Sequence, residues 1–290
     1  MTRSEGEAGA AGGTLYVVAT PIGNLGDITL RGLEVLRSVP LLAAEDTRLT
    51  RRLLDRYEIA VAMTSFHARS GPSRLTALLE HLRGGADLAV VTDAGTPGVS
   101  DPGAELVAAW AAEGGRVVAI PGASAVLAAV VSAGVVGPRW AFEGFLPRSG
   151  RERRDRLARI AADERATVLF EAPGRVAATL ADLAEACQAE RPAAVCRELT
   201  KVHEEVMRMS LDELAAHVAE HGVRGELTLV IGGASAAQAA GDVDDAALVA
   251  RVRELIATGV ARNTAVAMVA RTAGVARGRV YDAVSAAGER

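Results

Sequence analysis

Lys201 is the one lysine among 32 lysine and arginine residues, so arginine fills every other cationic position in the chain. It lies in RELTKVHEE (Arg197–Glu205), which gathers two cations, three carboxylates and one histidine within nine residues. A desolvated lysine can release its proton near neutral pH and arginine cannot, which makes Lys201 a candidate for proton transfer or for polarising a hydroxyl. Glu198 in the same segment and Asp46 in AAEDTR are the carboxylates placed to tune it. His67, in SFHARS, is a second titratable group at a strand end, and a lone histidine in such a place is more often structural than catalytic.

Two further stretches carry information of another kind. TDAGTPGVSDPG (Thr92–Gly103) packs glycines, prolines and two aspartates behind an apolar run, and PGASA (Pro121–Ala125) follows the next one. Glycine permits close approach of backbone and proline fixes a turn, so these stretches read as walls of a backbone-lined pocket. TPIGNLGD (Thr20–Asp27) stands in the same relation to LYVVA. As a dinucleotide loop it has partial support: Glu45 and Asp46 follow Gly23 by 22 and 23 residues, where a ribose-binding acid is expected. It lacks the third glycine, and Pro21 removes an amide that a phosphate cradle needs. A pocket for S-adenosyl-L-methionine fits all three stretches better. Backbone groups hold such a donor without phosphate-binding residues, and amides at the helix start after PGASA favour a carboxylate.

These loops need a frame. Over the first 125 residues the apolar runs TLYVVAT (14–20), LLAAE (41–45), AMTSF (62–66), DLAVVTD (87–93) and RVVAIPG (116–122) alternate with helical stretches. That pattern predicts a parallel sheet covered on both faces, with ligands outside the carboxyl ends of the strands. A second block predicts strands at 140–146, 166–173, 193–199, 204–210 and 225–233 with three helices between them, without strict alternation, hence a mixed sheet. ASAAQAAGD reads as a linker, and three helices follow, the last pair spaced like a helix-turn-helix and broken at Gly274. The expected organisation is a disordered leader over 1–13, α/β domains over 14–135 and 136–234, a linker over 235–242 and a helical segment over 243–290.

Composition bounds the rest. At 290 residues, half of them hydrophobic, the chain can bury a sizeable core, and no apolar run reaches the length of a membrane span. Cys187 and Cys196 lack histidine partners at ligand spacing, so they read as core thiols of a reducing cytoplasm rather than as a metal site. The net charge of −4 does not advertise a nucleic-acid binder, yet RSGRERRDRLAR (Arg148–Arg159) sets six arginines against two acids.

In this order, LYVVATPIGNLGDITLRGLEVL, AAEDTR, VVTDAGTPGVSDPG, PGASA, FEGFLP and RELTKVHEE resemble the bacterial ribosomal RNA small-subunit methyltransferase I family of the tetrapyrrole methylase superfamily, over about Thr14 to Gly233. The resemblance implies two α/β domains of the tetrapyrrole methylase type with the donor bound in the cleft between them, a small helical extension, and a homodimer. It implies S-adenosyl-L-methionine-dependent 2′-O-methylation of a cytidine in the decoding region of 16S ribosomal RNA. The donor contacts it carries over are Pro21 and Gly23, Asp93, Ala94, Gly95 and Thr96, Ser124 and Ala125, with Leu199 and Thr200 approaching from the second domain. Two departures stand out. Gly174 replaces a histidine of the family in EAPGRV, and the family's histidine-rich stretch after the third strand shrinks to FHARSGPS, leaving His67.

On that reading Lys201 acts on the ribose hydroxyl with Glu198 or Asp46 beside it. Arg48, Arg51 and the cluster containing Arg151, Arg153 and Arg154 hold RNA phosphates, while Asn24 and Asp27 offer polar groups to an approaching RNA. No metal is called for. The competing readings are a small-molecule methyltransferase acting on a tetrapyrrole, an NAD-dependent oxidoreductase, and a ribosome-binding factor without enzymatic activity.

Overall fold

The structure is a computed structural model that describes residues 12–234, 245–273, 275 and 277–288. The expected leader over 1–13 and linker over 235–242 lie almost wholly outside the described residues, as does the break at Gly274. The chain forms two compact units. Residues up to Ser132 with Cys196–Glu205 make the first, and Ala133–Val195 with Val206 onward make the second. The RELTKVHEE turn, with Leu199 and Thr200, packs with the first unit, although the strands on either side of it belong to the second sheet.

The first unit is a five-stranded sheet in the order β3-β2-β4-β1-β5, formed by β1 (Thr14–Val18), β2 (Leu41–Ala44), β3 (Ala62–Ser65), β4 (Leu88–Val91) and β5 (Arg116–Ile120). Every pairing is parallel, as the continuous apolar runs require. Side chains alternate between two cores. Val18, Leu42, Ala44, Ala89 and Val91 pack with Leu33 and Leu36 of α1 (Leu30–Ser38) and Leu53 and Leu54 of α2 (Thr47–Arg56). Leu15, Ala43, Leu88 and Val90 pack with Leu78 and Leu82 of α3 (Pro72–Arg83) and Leu106 and Trp110 of α4 (Ala104–Ala112). The period-2 pattern of the strands thus fixes which helices lie on which face. Helix α5 (Ala125–Ala133) follows PGASA. Because all five strands run the same way, their carboxyl-end loops gather at one rim.

The second sheet has the order β6-β7-β10-β8-β9, from β6 (Trp140–Phe145), β7 (Ala166–Glu171), β8 (Pro192–Arg197), β9 (Glu205–Ser210) and β10 (Leu227–Ile231). It is mixed, with β6 parallel and β10 antiparallel to β7. Helices α6 (Gly150–Ala162), α7 (Val176–Cys187) and α8 (Leu211–His221) cover a core centred on Leu180, Leu183, Val195 and Leu229. Helices α9 (Asp245–Ala257), α10 (Arg262–Ala273) and α11 (Arg277–Ala286) pack on one another around Leu248, Val252, Val266, Val269, Val280 and Val284. Among the described residues no helix is long and apolar enough to cross a membrane.

Candidate donor and hydroxyl site

The rim loops of the first unit are stitched together by backbone bonds. Thr20 and Gly95 exchange N–H···O bonds of 2.8 and 3.0 Å, and the Thr20 hydroxyl donates to the Thr92 carbonyl at 3.0 Å. This joins the first loop to the fourth, and Gly95 takes a φ of 78° that its missing Cβ permits. Thr96 Oγ1 donates to the Ala123 carbonyl at 3.5 Å, tying the fourth loop to the fifth. The amide of Asp46 donates to Asp93 Oδ1 at 2.9 Å, and the amide of Asp93 to Glu45 Oε2 at 3.3 Å, so the second loop joins as well. Desolvation raises the pKa of Glu45, with Asp93 nearby adding repulsion, and burial pushes Asp101 up to about 6 with help from Glu45. Among the described residues no group of three or more His, Cys, Asp or Glu is arranged to hold a metal ion.

The RELTKVHEE turn meets this rim through its lysine. Lys201 Nζ donates to Glu198 Oε1 at 2.9 Å, and the aliphatic stem of Lys201 lies against Gly23 of the first loop. The turn is held in an uncommon backbone: Glu198 has φ 50° and the β-branched Thr200 has φ 65°. Such conformations cost about 1–3 kcal/mol each and persist where surrounding bonds over-determine them. Here the Thr200 amide donates to Glu204 Oε2 at 2.6 Å and the Lys201 amide to the Glu198 carbonyl at 3.0 Å.

A cavity of about 420 Å³ opens within the first unit. Its walls include Asp27 and Thr29 of the first loop, Gly122 to Ser124 of the fifth, and Thr200. Asp27 ends a single 3-10 turn (Leu25–Asp27) capped by Asn24, whose Oδ1 accepts from the Gly26 amide at 3.0 Å. Thr29 caps α1 by accepting from the Gly32 amide at 3.1 Å. Two buried side-chain oxygens on these walls, Asp27 Oδ2 and Thr200 Oγ1, have no hydrogen-bond partner. An unmet buried acceptor and an unmet hydroxyl are costly unless a ligand completes them.

The chain matches the family model for Tetrapyrrole (Corrin/Porphyrin) Methylases over residues 14–215. It is 43% identical to "Ribosomal RNA small subunit methyltransferase I" of Synechocystis sp., over 93% of this chain and 96% of that protein. The protein of the same name in Pseudomonas aeruginosa is 40% identical over 93% and 95%. The chain belongs to the ribosomal RNA small subunit methyltransferase I family of the tetrapyrrole methylases. Solved structures share the fold at lower identity. A cobalt precorrin-4 methyltransferase superposes with a TM-score of 0.59 at 19% identity, covering 76% of this chain and 94% of its own. Uroporphyrin-III C-methyl transferase from Thermus thermophilus, complexed with S-adenyl homocysteine, superposes at 0.56 and 19% identity, over 76% and 97%.

A methylase of this family needs room and polar partners for its methyl donor, and the cavity's size falls in the range of small-molecule sites. Asp27 offers an acceptor to an N–H or O–H, Thr200 offers a hydroxyl, and the start of α5 beside Ser124 offers amides, so the residues present fit S-adenosyl-L-methionine. Gly122 serves the same wall: a Cβ there would lie 3.0 Å from the Ala19 Cβ. Of the residues expected to hold the donor, Ser124 and Thr200 line this cavity. Gly95, Thr96 and Asp93 bind the rim loops to one another, and buried Pro21 starts the first loop. Ala94 lies between the tied residues, Ala125 opens α5, and buried Leu199 anchors the turn.

Lys201 and Glu198 are brought into contact, whereas Asp46 is differently engaged. It caps α2, accepts from the Arg48 amide at 2.8 Å and pairs with the Arg48 guanidinium at 3.1 and 2.7 Å, which holds its pKa down at about 2. His67 accepts at Nδ1 from the Arg69 amide and its own amide donates to Ser70 Oγ, so it organises the loop after β3. Arg51, Arg151 and Arg154 are exposed. Arg153 is not: it is 8% exposed and its guanidinium bonds Asp182, Thr179 and the Pro147 carbonyl. This corrects its assignment to RNA phosphates. The signal was present in the sequence, since Arg153, Leu157 and Ile160 follow the i, i+4, i+7 spacing of a core-facing stripe. Asp27, whose part in RNA approach the sequence left open, lines the cavity.

Proposed function

We propose that this protein transfers a methyl group from S-adenosyl-L-methionine to the 2′-hydroxyl of a cytidine in the decoding region of 16S ribosomal RNA, in the small subunit. The observation that carries the reading is the family match along nearly the whole chain to proteins named for ribosomal RNA, against 19% identity to the tetrapyrrole enzymes. The cavity with its unmet oxygens supports the donor.

When bound, S-adenosyl-L-methionine would supply an electrophilic methyl on sulfonium; the ribose oxygen would take that methyl as the carbon–sulfur bond breaks, and the hydroxyl proton would pass to water. Placement of the two reactants supplies about 7–11 kcal/mol of such a barrier. Lys201 is the group proposed to act on the hydroxyl. Its Nζ donates to the Glu198 carboxylate at 2.9 Å, which fixes its position, and its remaining N–H groups stabilise negative charge as it develops on the ribose oxygen. Glu198, rather than Asp46, is the carboxylate that tunes it, because both oxygens of Asp46 are directed at Arg48. Arg51, Arg148, Arg151 and Arg154 are proposed to meet phosphates.

A homodimer in the cytoplasm belongs to the same reading. Leu127 and Val131, one helical turn apart on α5, are 54% and 83% exposed, and such a pair is suited to a second copy. The deciding experiment maps 2′-O-methylation on small-subunit RNA after incubation with labelled donor. One labelled cytidine is expected in the decoding region, and the reading fails if label appears on no ribose.

A further inference from the structure

Three arginines stand where helix electrostatics disfavours them. Arg148 precedes α6, and Arg151 and Arg154 lie in its first turns, at the positive end of the helix dipole. All three are exposed. Among the described residues Arg148 and Arg154 form no ion pair, and Arg151 meets only Asp155, at 3.5 Å, with its side chain 89% exposed. A sequence that breaks a local rule without internal compensation points to a partner, here an anionic one.

The segment leading into these arginines is braced from beneath by a buried network. Glu171, at the end of β7, is 3% exposed. Its Oε1 accepts from the Ala172 amide at 2.8 Å and pairs with Arg175 Nε at 3.1 Å. The Thr179 hydroxyl donates to Glu171 Oε2 at 2.6 Å and accepts from Arg153 NH2 at 3.1 Å. The two arginines then reach the same stretch of chain: Arg175 NH2 donates to the Leu146 carbonyl at 2.7 Å, and Arg153 NH1 to the Pro147 carbonyl at 2.9 Å. Consecutive carbonyls immediately before Arg148 are thus fixed by Arg175, just ahead of α7, and by Arg153 on α6. Those cations are themselves oriented by two carboxylates, Glu171 and Asp182, and by the Thr179 hydroxyl. A core needs no such assembly to close the turn between β6 and α6, because burying charge is costly unless it fixes a geometry.

We propose that Arg148, Arg151 and Arg154 form a phosphodiester-binding ridge for RNA, and that Glu171 and Thr179 are positioning residues that hold the ridge through Arg175 and Arg153. This rests on the ribosomal RNA reading above and separates that reading's basic cluster into contacts and supports. The ridge contributes affinity, while the reacting atoms are handled elsewhere. Its variants should therefore alter RNA binding and its salt dependence and leave donor binding alone.

The test measures binding of the full chain to small-subunit RNA across a salt series, with donor affinity and thermal melting in parallel. For Arg148→Ala combined with Arg154→Ala, RNA affinity should fall at least tenfold. The slope of log K against log salt should shrink by about 1.5, since each lost phosphate contact removes about 0.7–0.9. Thr179→Val keeps the shape of the buried side chain and removes the hydroxyl relay. It should lower RNA affinity several-fold and shrink the slope by about 1, with donor Kd near that of the parent and Tm lower by a few degrees because Glu171 and Arg153 each lose a buried bond. Glu171→Gln should act in the same direction, and if it fails to fold, Thr179→Val decides. A folded Thr179→Val with parental RNA affinity and salt slope overturns the positioning role, and a double arginine variant with parental slope overturns the ridge. Failure of the reading beneath would look different: the parent protein would show ridge-dependent RNA binding without methyl transfer.

Discussion

The stem of Lys201 lies across the backbone of Gly23, so that a Cβ on Gly23 would overlap Lys201 Cγ and stand 2.6 Å from Cε. Gly23 also has φ 155°, a conformation that side chains disfavour. One glycine thus allows the first rim loop and the lysine turn to share space. Gly23→Ala must displace the lysine, the loop, or both. Methyl transfer is expected to drop about 100-fold, the scale of a misplacement near 1 Å at the reacting atoms. Tm should fall by only a few degrees, because the stem is flexible and the core untouched. Parental activity in a folded Gly23→Ala would show that the fit of Lys201 against this loop has no role in turnover.

Lys201→Arg tests the group itself. Arginine keeps the charge but not the compact ammonium on its stem, and its planar fork cannot occupy the groove over Gly23 in the same way. Turnover should fall by about 10²-fold or more, the usual contribution of a positioned proton-transfer or polarising group. Donor affinity, measured by calorimetry, should stay within about twofold. Near-parental turnover would remove Lys201 from the reaction.

Asp27 offers a trade between stability and binding. Its Oδ2 is buried without a partner, so Asp27→Ala relieves an unmet group and should leave the protein as stable as the parent or more stable by about 1 kcal/mol. Donor affinity should fall about tenfold if the cavity wall meets the donor there. Thermal melts with and without S-adenosyl-L-methionine check both effects: the apo variant melts at or above the parent, and its ligand-induced gain shrinks. An unchanged gain would exclude contact between Asp27 and the donor.

The ten strands among the described residues were legible because apolar runs and their glycine-rich ends are local signals. A carboxylate beside Lys201 was legible too, but as Glu198 or Asp46, and the structure pairs Lys201 with Glu198, three residues away in the same turn. The destinations of charged side chains were less legible. Arg153 and exposed Arg154 are neighbours in one basic run, and only helix phase separates the brace from the ridge. Arg191 had no signal at all. Just 2% exposed, it donates to the Ile160 and Ala161 carbonyls, which are brought to it by the packing of an element 30 residues away. Tertiary burial of a cation leaves no mark on its own sequence window. Membership of the RELTKVHEE turn in the first unit is likewise a fact of contact, invisible in chain order.

The rim carboxylates give a pH signature with a definite sign. Burial, assisted by Glu45 and Asp93, raises Asp101 to about 6 from its ordinary value of 3.8, and burial also raises Glu45. A carboxyl whose pKa is higher in the folded state binds more protons when folded between the two values, so stability falls as pH rises from about 4 to about 6. Asp46, held down at about 2 by Arg48, acts in the opposite sense: what it contributes is present above about 4 and lost as pH falls toward 2. Asp101→Asn removes the first effect and leaves the second. Relative to the parent, the variant should gain stability as pH rises from 4.5 to 7, by about 1 kcal/mol once solvent screening of a half-buried group is allowed for. Chemical denaturation at a series of pH values measures this difference. A constant offset between the two proteins across that range would mean that Asp101 is as solvated in the fold as in the unfolded chain.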